Sequence, residues 1–289
     1  MTTAAALAEG TARLRACSDA PRIDALTLLE ATLRKPRAWI AAFGEHPLSA
    51  EDAAAFETLC ERRASGIPTA YLLVRAGFYG HEFLVDERVL VPRPESEHLV
   101  DETIAFLGDR EADVLDVGTG SGALACSIAA ATRATVYATD ISHEALAVAN
   151  DNVRRLRLEQ RCNVACGDLL EPFVGRRFDV VVANLPYVPS GDVPQAPDPV
   201  SFEPRIAVDG GADGLHVYRR LLHALPAALK PKALVLLEAA PPTIGALRQL
   251  VRARLPEATV EMRRDYAGLG RYVKASLPLP GSVQASSEK

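Results

Sequence analysis

Apolar residues recur at helical spacing in the first quarter of the chain. Four of them stand three or four positions apart, at Ile23, Leu26, Leu29 and Leu33. This spacing predicts an amphipathic helix. Ser49 followed by Asp52 predicts the capped start of a later helix that ends near Gly66. Residues 1–75 are therefore predicted to form a helical bundle, which either recognises a macromolecular substrate or is a structural extension.

Short strand-like runs follow the helical region. Residues 78–85 and 89–91 are predicted to be two strands around a turn at 86–88, so that residues 76–94 form a β-hairpin linker. The chain continues in a loop whose prolines restrict the backbone and present Arg93 and Glu95 in a defined direction. These two residues are candidates to support a nearby site.

From residue 95 to residue 277, strand-like runs alternate with helical patterns. The predicted strands are 114–117, 135–139, 163–165, 178–183, 233–237, 259–262 and 271–275, and one of the helices is predicted over 214–229. This alternation predicts a parallel, doubly wound α/β sheet. The last residues, 278–289, have low complexity and are predicted to be a disordered tail.

Composition narrows the classes of function. The chain has 289 residues with 48% hydrophobic and 24% charged content, and its net charge of −5 without a long basic run argues against direct nucleic-acid binding. Its five cysteines lack the spacing of a zinc site, which indicates reduced thiols, no metal and a cytoplasmic protein. No apolar run approaches the ~20 residues that a membrane span requires.

The sequence Asn-Leu-Pro-Tyr at 184–187 directly follows a buried-strand pattern. Ligands bind at the carboxyl ends of strands in open α/β sheets, so this segment is placed at a binding edge. The Asn184 oxygen and the Leu185 carbonyl can accept both hydrogens of a planar –NH2 group. Pro186 restricts the backbone, and the Tyr187 ring can lie over the group. In isolation the segment is most often a polar turn, so its context decides.

A glycine-rich loop is predicted between the first sheet strand and its helix. It contains Asp116, Gly118, Thr119, Gly120, Ser121 and Gly122. Glycines let the backbone approach a ligand closely, with the N–H groups of the helix facing it. The GxGxG spacing and the preceding carboxylate disfavour a dinucleotide and favour the ammonium and sulfonium groups of S-adenosylmethionine.

Two further carboxylates follow the next two strands. Asp140 comes 22 residues after Gly118, where a carboxylate can accept hydrogen bonds from ribose hydroxyls. Asp168 follows the third strand and is a candidate to bind the adenine amino group. Each of the two is alternatively a helix cap. Three strand ends with carboxylates, beside a fourth with an amide, indicate a methyltransferase.

Several stretches match the pattern of one known family. They lie at 67–71, 89–97, 116–122, 140–142, 203–205 and 209–215, within a similarity that runs from about residue 23 to residue 273. In these stretches the chain resembles the protein-(glutamine-N5) methyltransferases, the release factor glutamine methyltransferase family, which has a sibling acting on a ribosomal protein. The resemblance implies a Rossmann-like S-adenosylmethionine-dependent methyltransferase sheet behind an N-terminal helical bundle.

The resemblance also implies roles for individual residues. The loop from Gly118 to Gly122, Asp140, and Asp168 with Leu169 are expected to bind S-adenosylmethionine. The segment 184–187 is expected to hold the target glutamine, with Asn184 contributing to both sites. The implied partner is a peptide-chain release factor, methylated at the glutamine of its Gly-Gly-Gln loop.

Three positions depart from the family pattern. Leu185 stands where the family usually has Pro, Ser96 where it has Thr, and Gly270 where an Asp precedes the Arg. Asn-Leu-Pro-Tyr also resembles the rRNA adenine-N6 dimethyltransferases. A ribosomal-protein glutamine and a nucleic-acid amine such as adenine N6 are therefore alternative acceptors, and a non-catalytic cofactor-binding protein is a further alternative.

Overall fold

The computed structural model describes residues 1–265 and 268–279. Residues 280–289, most of the predicted tail over 278–289, lie outside the described residues. The chain divides into two compact units. The smaller contains Met1–Ala76, Val85–Glu87 and Pro194–Pro204, and the larger contains Gly77–Leu84, Arg88–Val193 and the chain from Arg205 onward. The domain boundaries predicted at residues 75, 94 and 277 stay predictions.

Residues 1–76, all of them described, form the predicted helical bundle. Its helices are α1 (Thr3–Leu14), α2 (Pro21–Leu33), α3 (Arg37–Ala42), α4 (Ala50–Ala64) and α5 (Thr69–Leu73). Helix α4 begins where the sequence predicts, because Ser49 Oγ accepts a hydrogen bond from the Asp52 backbone N–H at 3.0 Å. This cap satisfies one of the N–H groups that have no partner within the helix.

The buried face of α2 differs from the predicted one. Ala25, Leu28 and Leu29 are fully buried, whereas Ile23 is 57% exposed. The spacing of the apolar residues identified the helix correctly. Which side is covered depends on where α1 and α4 pack against it, and this cannot be read from the spacing alone.

A buried ion pair joins three elements of the bundle. Arg63 on α4 is 6% exposed, and its Nε donates to Asp24 Oδ2 on α2 at 2.9 Å. Asp24 also accepts from Ser18 Oγ at 2.8 Å and from Thr69 Oγ1 at 3.0 Å. The carboxylate therefore connects α2, α4 and the start of α5 through a fully hydrogen-bonded charge.

The linker hairpin is shorter than predicted. Strand β1 (Ala76–Phe78) pairs with β2 (His81–Phe83) around Tyr79 and Gly80, whose φ angles are 47° and 74°. Two consecutive positive φ angles form the tight turn that suits a two-residue hairpin. The predicted strands at 78–85 and 89–91 are therefore wrong, because the chain reverses at Tyr79 rather than at residue 86.

The larger unit is built on a sheet that has seven strands among the described residues, in the order β5-β4-β3-β6-β7-β9-β8. The strands are β3 (Asp113–Val117), β4 (Thr135–Asp140), β5 (Cys162–Cys166), β6 (Phe178–Ala183), β7 (Leu229–Glu238), β8 (Thr259–Arg264) and β9 (Gly270–Ser276). The helices are α6 (Glu97–Leu107), α7 (Ala123–Ala131), α8 (His143–Arg155), α9 (Arg205–Val208), α10 (His216–Ala224) and α11 (Pro241–Arg254). The predicted α/β class is confirmed.

Two details of the sheet correct the prediction. The sheet is mixed rather than wholly parallel, because β9 runs antiparallel to both β7 and β8. The connection from β8 to β9 is too short for the crossover that a parallel pair requires. The helix predicted over 214–229 ends as an α-helix at Ala224, because Pro226 cannot continue it and a 3₁₀ turn follows.

Both faces of the sheet are buried. Val114 and Val180 pack on the side of α6, α7 and α8, and Leu115 and Val181 pack on the side of α10 and α11. Strands β3, β4, β6 and β7 are mutually parallel, so their carboxyl ends lie at one edge. The polar residues of the candidate site follow at this edge.

Replacing Asp24 by Ala is expected to destabilise the bundle by about 3 kcal/mol, because it leaves the Arg63 charge buried without its partner. The single tryptophan of the chain, Trp39, lies in α3 and reports unfolding of this unit. Urea unfolding of the full-length chain, followed by Trp39 fluorescence, measures the effect.

The matched control is Arg13→Ala, which breaks the exposed pairs of Arg13 with Glu57 and Glu61 on the same bundle. Exposed pairs contribute less than about 1 kcal/mol. Equal shifts of the two urea midpoints would contradict the importance of the buried pair.

Candidate active site

The turn from β3 into α7 depends on glycine at two positions. Gly118 and Gly120 have φ angles of 73° and 54°, a region that residues with side chains rarely adopt. A Cβ on Gly118 would lie 2.7 Å from Leu185 Cδ2, whereas a Cβ on Gly120 would meet no described atom within 4 Å beyond its chain neighbours. The loop therefore packs against the 184–187 segment at Gly118 and leaves open space at Gly120.

Asp116 lies beneath this loop and is fully buried. Its Oδ2 accepts from Thr119 Oγ1 at 2.6 Å and from the Ala125 N–H at 3.2 Å, while Oδ1 has no hydrogen-bond partner among the described residues. Burial raises the pKa of Asp116 to about 7, against the opposing effect of both hydrogen bonds. A positive charge placed near the loop would restore the ionised form.

Thr119 and Ser121 are also buried, and the Thr119 hydroxyl is bound to Asp116 inside the protein. The Ser121 carbonyl accepts from Asn152 Nδ2 at 2.9 Å, which anchors the loop to α8. These two predicted cofactor residues therefore shape the loop, and Gly122 forms the start of α7. Any ligand at this turn meets mainly backbone.

Asp140 ends β4 and contacts the glycine loop directly. Its Oδ2 accepts from the Gly120 N–H at 2.9 Å, and its Oδ1 accepts from the Ser142 N–H at 2.9 Å. The cap of α8 is Ser142 rather than Asp140, because Ser142 Oγ accepts from the Ala145 N–H. Burial raises the pKa of Asp140, and the hydrogen bonds to Ser142 and Gly120 oppose the rise. The carboxylate thus lies beside the open space at Gly120.

Asp168 lies just beyond β5 and forms an ion pair with Arg220 of α10. The next residue, Leu169, has a φ of 52° and packs its side chain on the sheet core. A hydrogen bond from Asp168 to an adenine would have to share the carboxylate with Arg220 or displace it. The sequence did not indicate this partner.

Asn184 follows β6, and its amide nitrogen is already bound within the protein. Asn184 Nδ2 donates to Ser96 Oγ at 3.0 Å, and Ser96 Oγ donates to Glu238 Oε2 at 2.6 Å. Ser96 and Glu238 are 3% and 1% exposed. This arrangement leaves the Asn184 oxygen available to accept a hydrogen bond.

Leu185 is buried, and its backbone N–H has a partner inside the protein. The N–H donates to the Tyr218 hydroxyl at 3.1 Å, and that hydroxyl donates to the Glu238 carbonyl. A Pro at this position has no N–H and needs no such acceptor. The Tyr218 hydroxyl therefore satisfies the donor that the Leu at this position introduces.

The backbone of Pro186 and Tyr187 is packed closely against a second glycine-containing loop. A Cβ on Gly214 would lie 2.2 Å from the Tyr187 carbonyl oxygen, and a Cβ on Gly210 would lie 2.7 Å from the Pro186 carbonyl oxygen. The Gly210 N–H also donates to the Val188 carbonyl at 2.8 Å. Close backbone contact at Gly214 excludes any side chain there and holds the turn in place.

The Tyr187 hydroxyl is subject to the charges of several residues. Burial raises the pKa of Tyr187 to about 12, and the charges of Glu238, Arg271, Arg93 and Glu95 act on the same hydroxyl. Arg271 Nη2 lies 3.7 Å from Glu95 Oε1 and 3.0 Å from Asp265 Oδ2. The charges of the predicted Arg93 and Glu95 thus act on Tyr187, and Glu95 is linked to Arg271.

Three residues of this edge were missed as site residues by the sequence interpretation: Ser96, Tyr218 and Glu238. Glu238 could have been found from the sequence, because it is a carboxylate at the end of an apolar strand. In the sheet, the residue before it, Leu237, pairs with Ala183, the residue before Asn184. The hydrogen bond between Asn184 and Ser96 joins residues 88 positions apart, and the one between Leu185 and Tyr218 joins residues 33 positions apart. A local sequence pattern therefore predicts neither of them.

Within residues 1–265 and 268–279, no group of three or more His, Cys, Asp or Glu side chains is placed to hold a metal ion. In the same described residues, no helix combines the length and the apolar content needed to cross a bilayer.

Two protein-family models match the chain. The model described as the PrmC N-terminal domain matches residues 5–73, and the model described as a methyltransferase domain matches residues 114–198. Among solved structures, a methyltransferase from Pyrococcus furiosus is 20% identical and covers 69% of this chain and 90% of its own, with a TM-score of 0.52. That likeness shows the methyltransferase fold.

Curated relatives match over nearly the whole chain. The release factor glutamine methyltransferase of Moorella thermoacetica is 40% identical over 276 residues, which is 94% of this chain and 97% of its own. That of Bordetella pertussis is 40% identical over 255 residues, 87% of this chain and 93% of its own. Such identity over matched lengths confirms the resemblance seen in the sequence, and the chain belongs to the release factor glutamine methyltransferase family.

Proposed function

We propose that this chain transfers a methyl group from S-adenosylmethionine to the N5 nitrogen of a glutamine in a protein. The acceptor is a glutamine of a peptide-chain release factor, the substrate that the relatives' names give, and we assign it to the Gly-Gly-Gln loop that the sequence resemblance implies. The observation that carries the proposal is the packing of Leu185 on Gly118. It brings the amide-binding segment and the glycine loop together at one edge of the sheet.

The residues around the glycine loop fit S-adenosylmethionine. Gly120 faces open space, the buried Asp116 favours a cation, and Asp140 lies beside the same turn. In this assignment the loop from Gly118 to Gly122 lies against the amino-acid part and Asp140 accepts from ribose hydroxyls. Asp168 shares its carboxylate between Arg220 and the adenine amino group, and the neighbouring Leu169 lies at the same end of β5.

The acceptor glutamine is held by the 184–187 segment. Asn184 Oδ1 accepts one N–H of the acceptor amide, because the Asn184 nitrogen is bound to Ser96. The Leu185 carbonyl accepts the other N–H, and the Tyr187 ring packs on the amide plane. Arg93 and Glu95 support Tyr187 from the neighbouring loop.

Chemistry at the amide requires positioning more than a strong base. The bound cofactor supplies an electrophilic methyl group on a sulfonium. With the cofactor bound, the N–C bond would form as the S–C bond breaks, S-adenosylhomocysteine would be the leaving group, and the amide proton would pass to solvent after transfer. Asn184 and Leu185 fix the direction of the nitrogen lone pair, and such orientation can lower the barrier by about 7–11 kcal/mol.

The test of this function is methyl transfer from labelled S-adenosylmethionine to purified release factor and to its Gly-Gly-Gln Gln→Ala variant, with peptide mass mapping. Label on the wild-type factor at that glutamine, and none on the variant, is the expected result. Label on a ribosomal protein or on RNA instead would contradict the acceptor. If the protein binds S-adenosylmethionine but methylates neither the release factor, nor a ribosomal protein, nor RNA, the proposal that it is an enzyme is contradicted.

Asn184→Ala is expected to lower kcat about 10²–10³-fold, because one preorganised polar group of the acceptor site is lost. The Kd for S-adenosylmethionine, measured by calorimetry, should change little. Asn150→Ala is the matched control, since Asn150 is exposed on α8 and bonds only the Leu146 carbonyl of its own helix among the contacts described. Wild-type turnover in Asn184→Ala would contradict the assignment of Asn184 to the acceptor amide.

The affinity for S-adenosylmethionine is expected to weaken as the pH falls through about 7. Burial raises the pKa of Asp116 to about 7, so below that pH the free protein must release a proton before Asp116 can face a cation. The Kd should then rise by up to about tenfold per pH unit.

Asp116→Asn, which keeps the shape but does not titrate, tests this coupling. Its Kd should be larger at pH 8 and should vary less between pH 6 and 8 than that of the wild type. Calorimetry in two buffers of different ionisation enthalpy also counts the protons released. A wild-type Kd that does not change over this range would contradict the role of Asp116.

A further inference from the structure

We infer that Ser96 and Glu238 form a positioning pair that fixes the orientation of the Asn184 side-chain amide, so that its oxygen rather than its nitrogen meets the acceptor. The inference rests on the proposed function, because it assigns Asn184 to the acceptor amide. Neither residue needs to touch the substrate. Both act through Asn184.

The geometry forms a continuous chain of hydrogen bonds. Asn184 Nδ2 lies 3.0 Å from Ser96 Oγ, and Ser96 Oγ lies 2.6 Å from Glu238 Oε2. Ser96 comes from the 3₁₀ turn before α6, and Glu238 ends the strand next to β6. Two elements distant in sequence therefore converge on the side chain of Asn184.

The direction of these bonds follows from the number of protons. A serine hydroxyl has one hydrogen, and an ionised carboxylate can only accept. When Glu238 is ionised, Ser96 must donate to it, and Ser96 Oγ is left to accept. Its partner on Asn184 must then be the –NH2 group, which turns the Asn184 oxygen the other way.

Protonation of Glu238 removes this constraint. A neutral carboxyl can donate to Ser96 Oγ, which frees the Ser96 hydrogen to donate to an Asn184 oxygen. The amide can then rotate by half a turn and present –NH2, which cannot accept from the acceptor's N–H groups. The orientation of Asn184 therefore depends on a negative charge at Glu238.

The surroundings of Glu238 place this protonation in an accessible range. The groups acting on it are Ser96, Arg271, Glu95 and Arg93, and the hydroxyls of Tyr187 and Tyr218 also interact with its charge. Burial raises the pKa of Glu238 to about 7, whereas Ser96 and the arginines lower it. Oε1 has no hydrogen-bond partner among the described residues, so the ionised form depends on Ser96 and on these charges.

The experiment compares Ser96→Ala with Ser96→Thr. Ser96→Ala should lower kcat about 10–100-fold, the size of effect seen when the hydrogen-bond partner behind a metal ligand is removed, with the Kd for S-adenosylmethionine unchanged. Ser96→Thr keeps the hydroxyl and should restore most of the turnover. Ser127→Ala is the matched control, since Ser127 is buried on α7 and its hydroxyl has no partner among the described residues.

A double-mutant cycle with Asn184→Ala separates positioning from a general structural effect. If Ser96 acts through Asn184, then Ser96→Ala lowers kcat in the wild type and has almost no effect in Asn184→Ala. An equal fold-loss in both backgrounds overturns the inference. If Asn184→Ala loses turnover and Ser96→Ala does not, the inference fails while the proposed function stands. If Asn184→Ala keeps turnover, the proposed acceptor site itself fails.

Glu238→Gln allows a second measurement, the pH dependence of kcat, which would not change if Glu238 had only a structural role. With saturating cofactor, wild-type kcat should fall as the pH drops below about 7, because protonated Glu238 releases the Asn184 amide. Gln cannot titrate, so the variant should show a lower kcat that is nearly constant between pH 6 and 8. An unchanged acidic decline of kcat in Glu238→Gln overturns the inference.

Discussion

Two buried carboxylates flank the strand that leads into the 184–187 segment, and the structure of this edge depends on how their charges are satisfied. Asp116 on β3 and Glu238 on β7 lie on either side of β6, and each has one oxygen without a partner among the described residues. Removing a carboxylate from water is costly unless hydrogen bonds or charges compensate. Each carboxylate therefore orders its surroundings. Asp116 accepts a hydrogen bond from Thr119 of the glycine loop, and Glu238 accepts one from the Ser96 hydroxyl beside Asn184.

Close backbone packing is the second constraint on this edge. The Leu185 side chain approaches Gly118 so closely, and the Tyr187 carbonyl approaches Gly214 so closely, that a Cβ atom at either glycine would clash. The 184–187 segment is thereby held between two loops without relying on a second proline. Leu185 has a backbone N–H that Pro would lack, and the hydrogen bond to the buried Tyr218 hydroxyl satisfies it, so this departure from the family pattern leaves no unpaired donor.

Much of the fold and part of the site followed from the sequence. Alternating apolar runs and helical spacing located the strands and helices of the sheet, because burial on both faces requires continuous apolar strands. The glycine spacing, the carboxylates at strand ends and the 184–187 segment indicated one binding edge. The hairpin and the direction of β9 were predicted wrongly, because the positive φ at Tyr79 and the short connection to β9 override local strand patterns.

The sequence by itself determined the class of fold, the family and the chemical character of the edge, since these depend on residue types at short spacing. Only the tertiary structure decided which groups remain free to bind. In the folded protein Asp168 is paired with Arg220, Thr119 and Ser121 are buried, and the Asn184 nitrogen donates to Ser96. The physical reason is that buried groups form hydrogen bonds with residues far away in the sequence, and their partners are determined by packing rather than by proximity in the chain. Ser96 and Glu238, for example, are 142 positions apart.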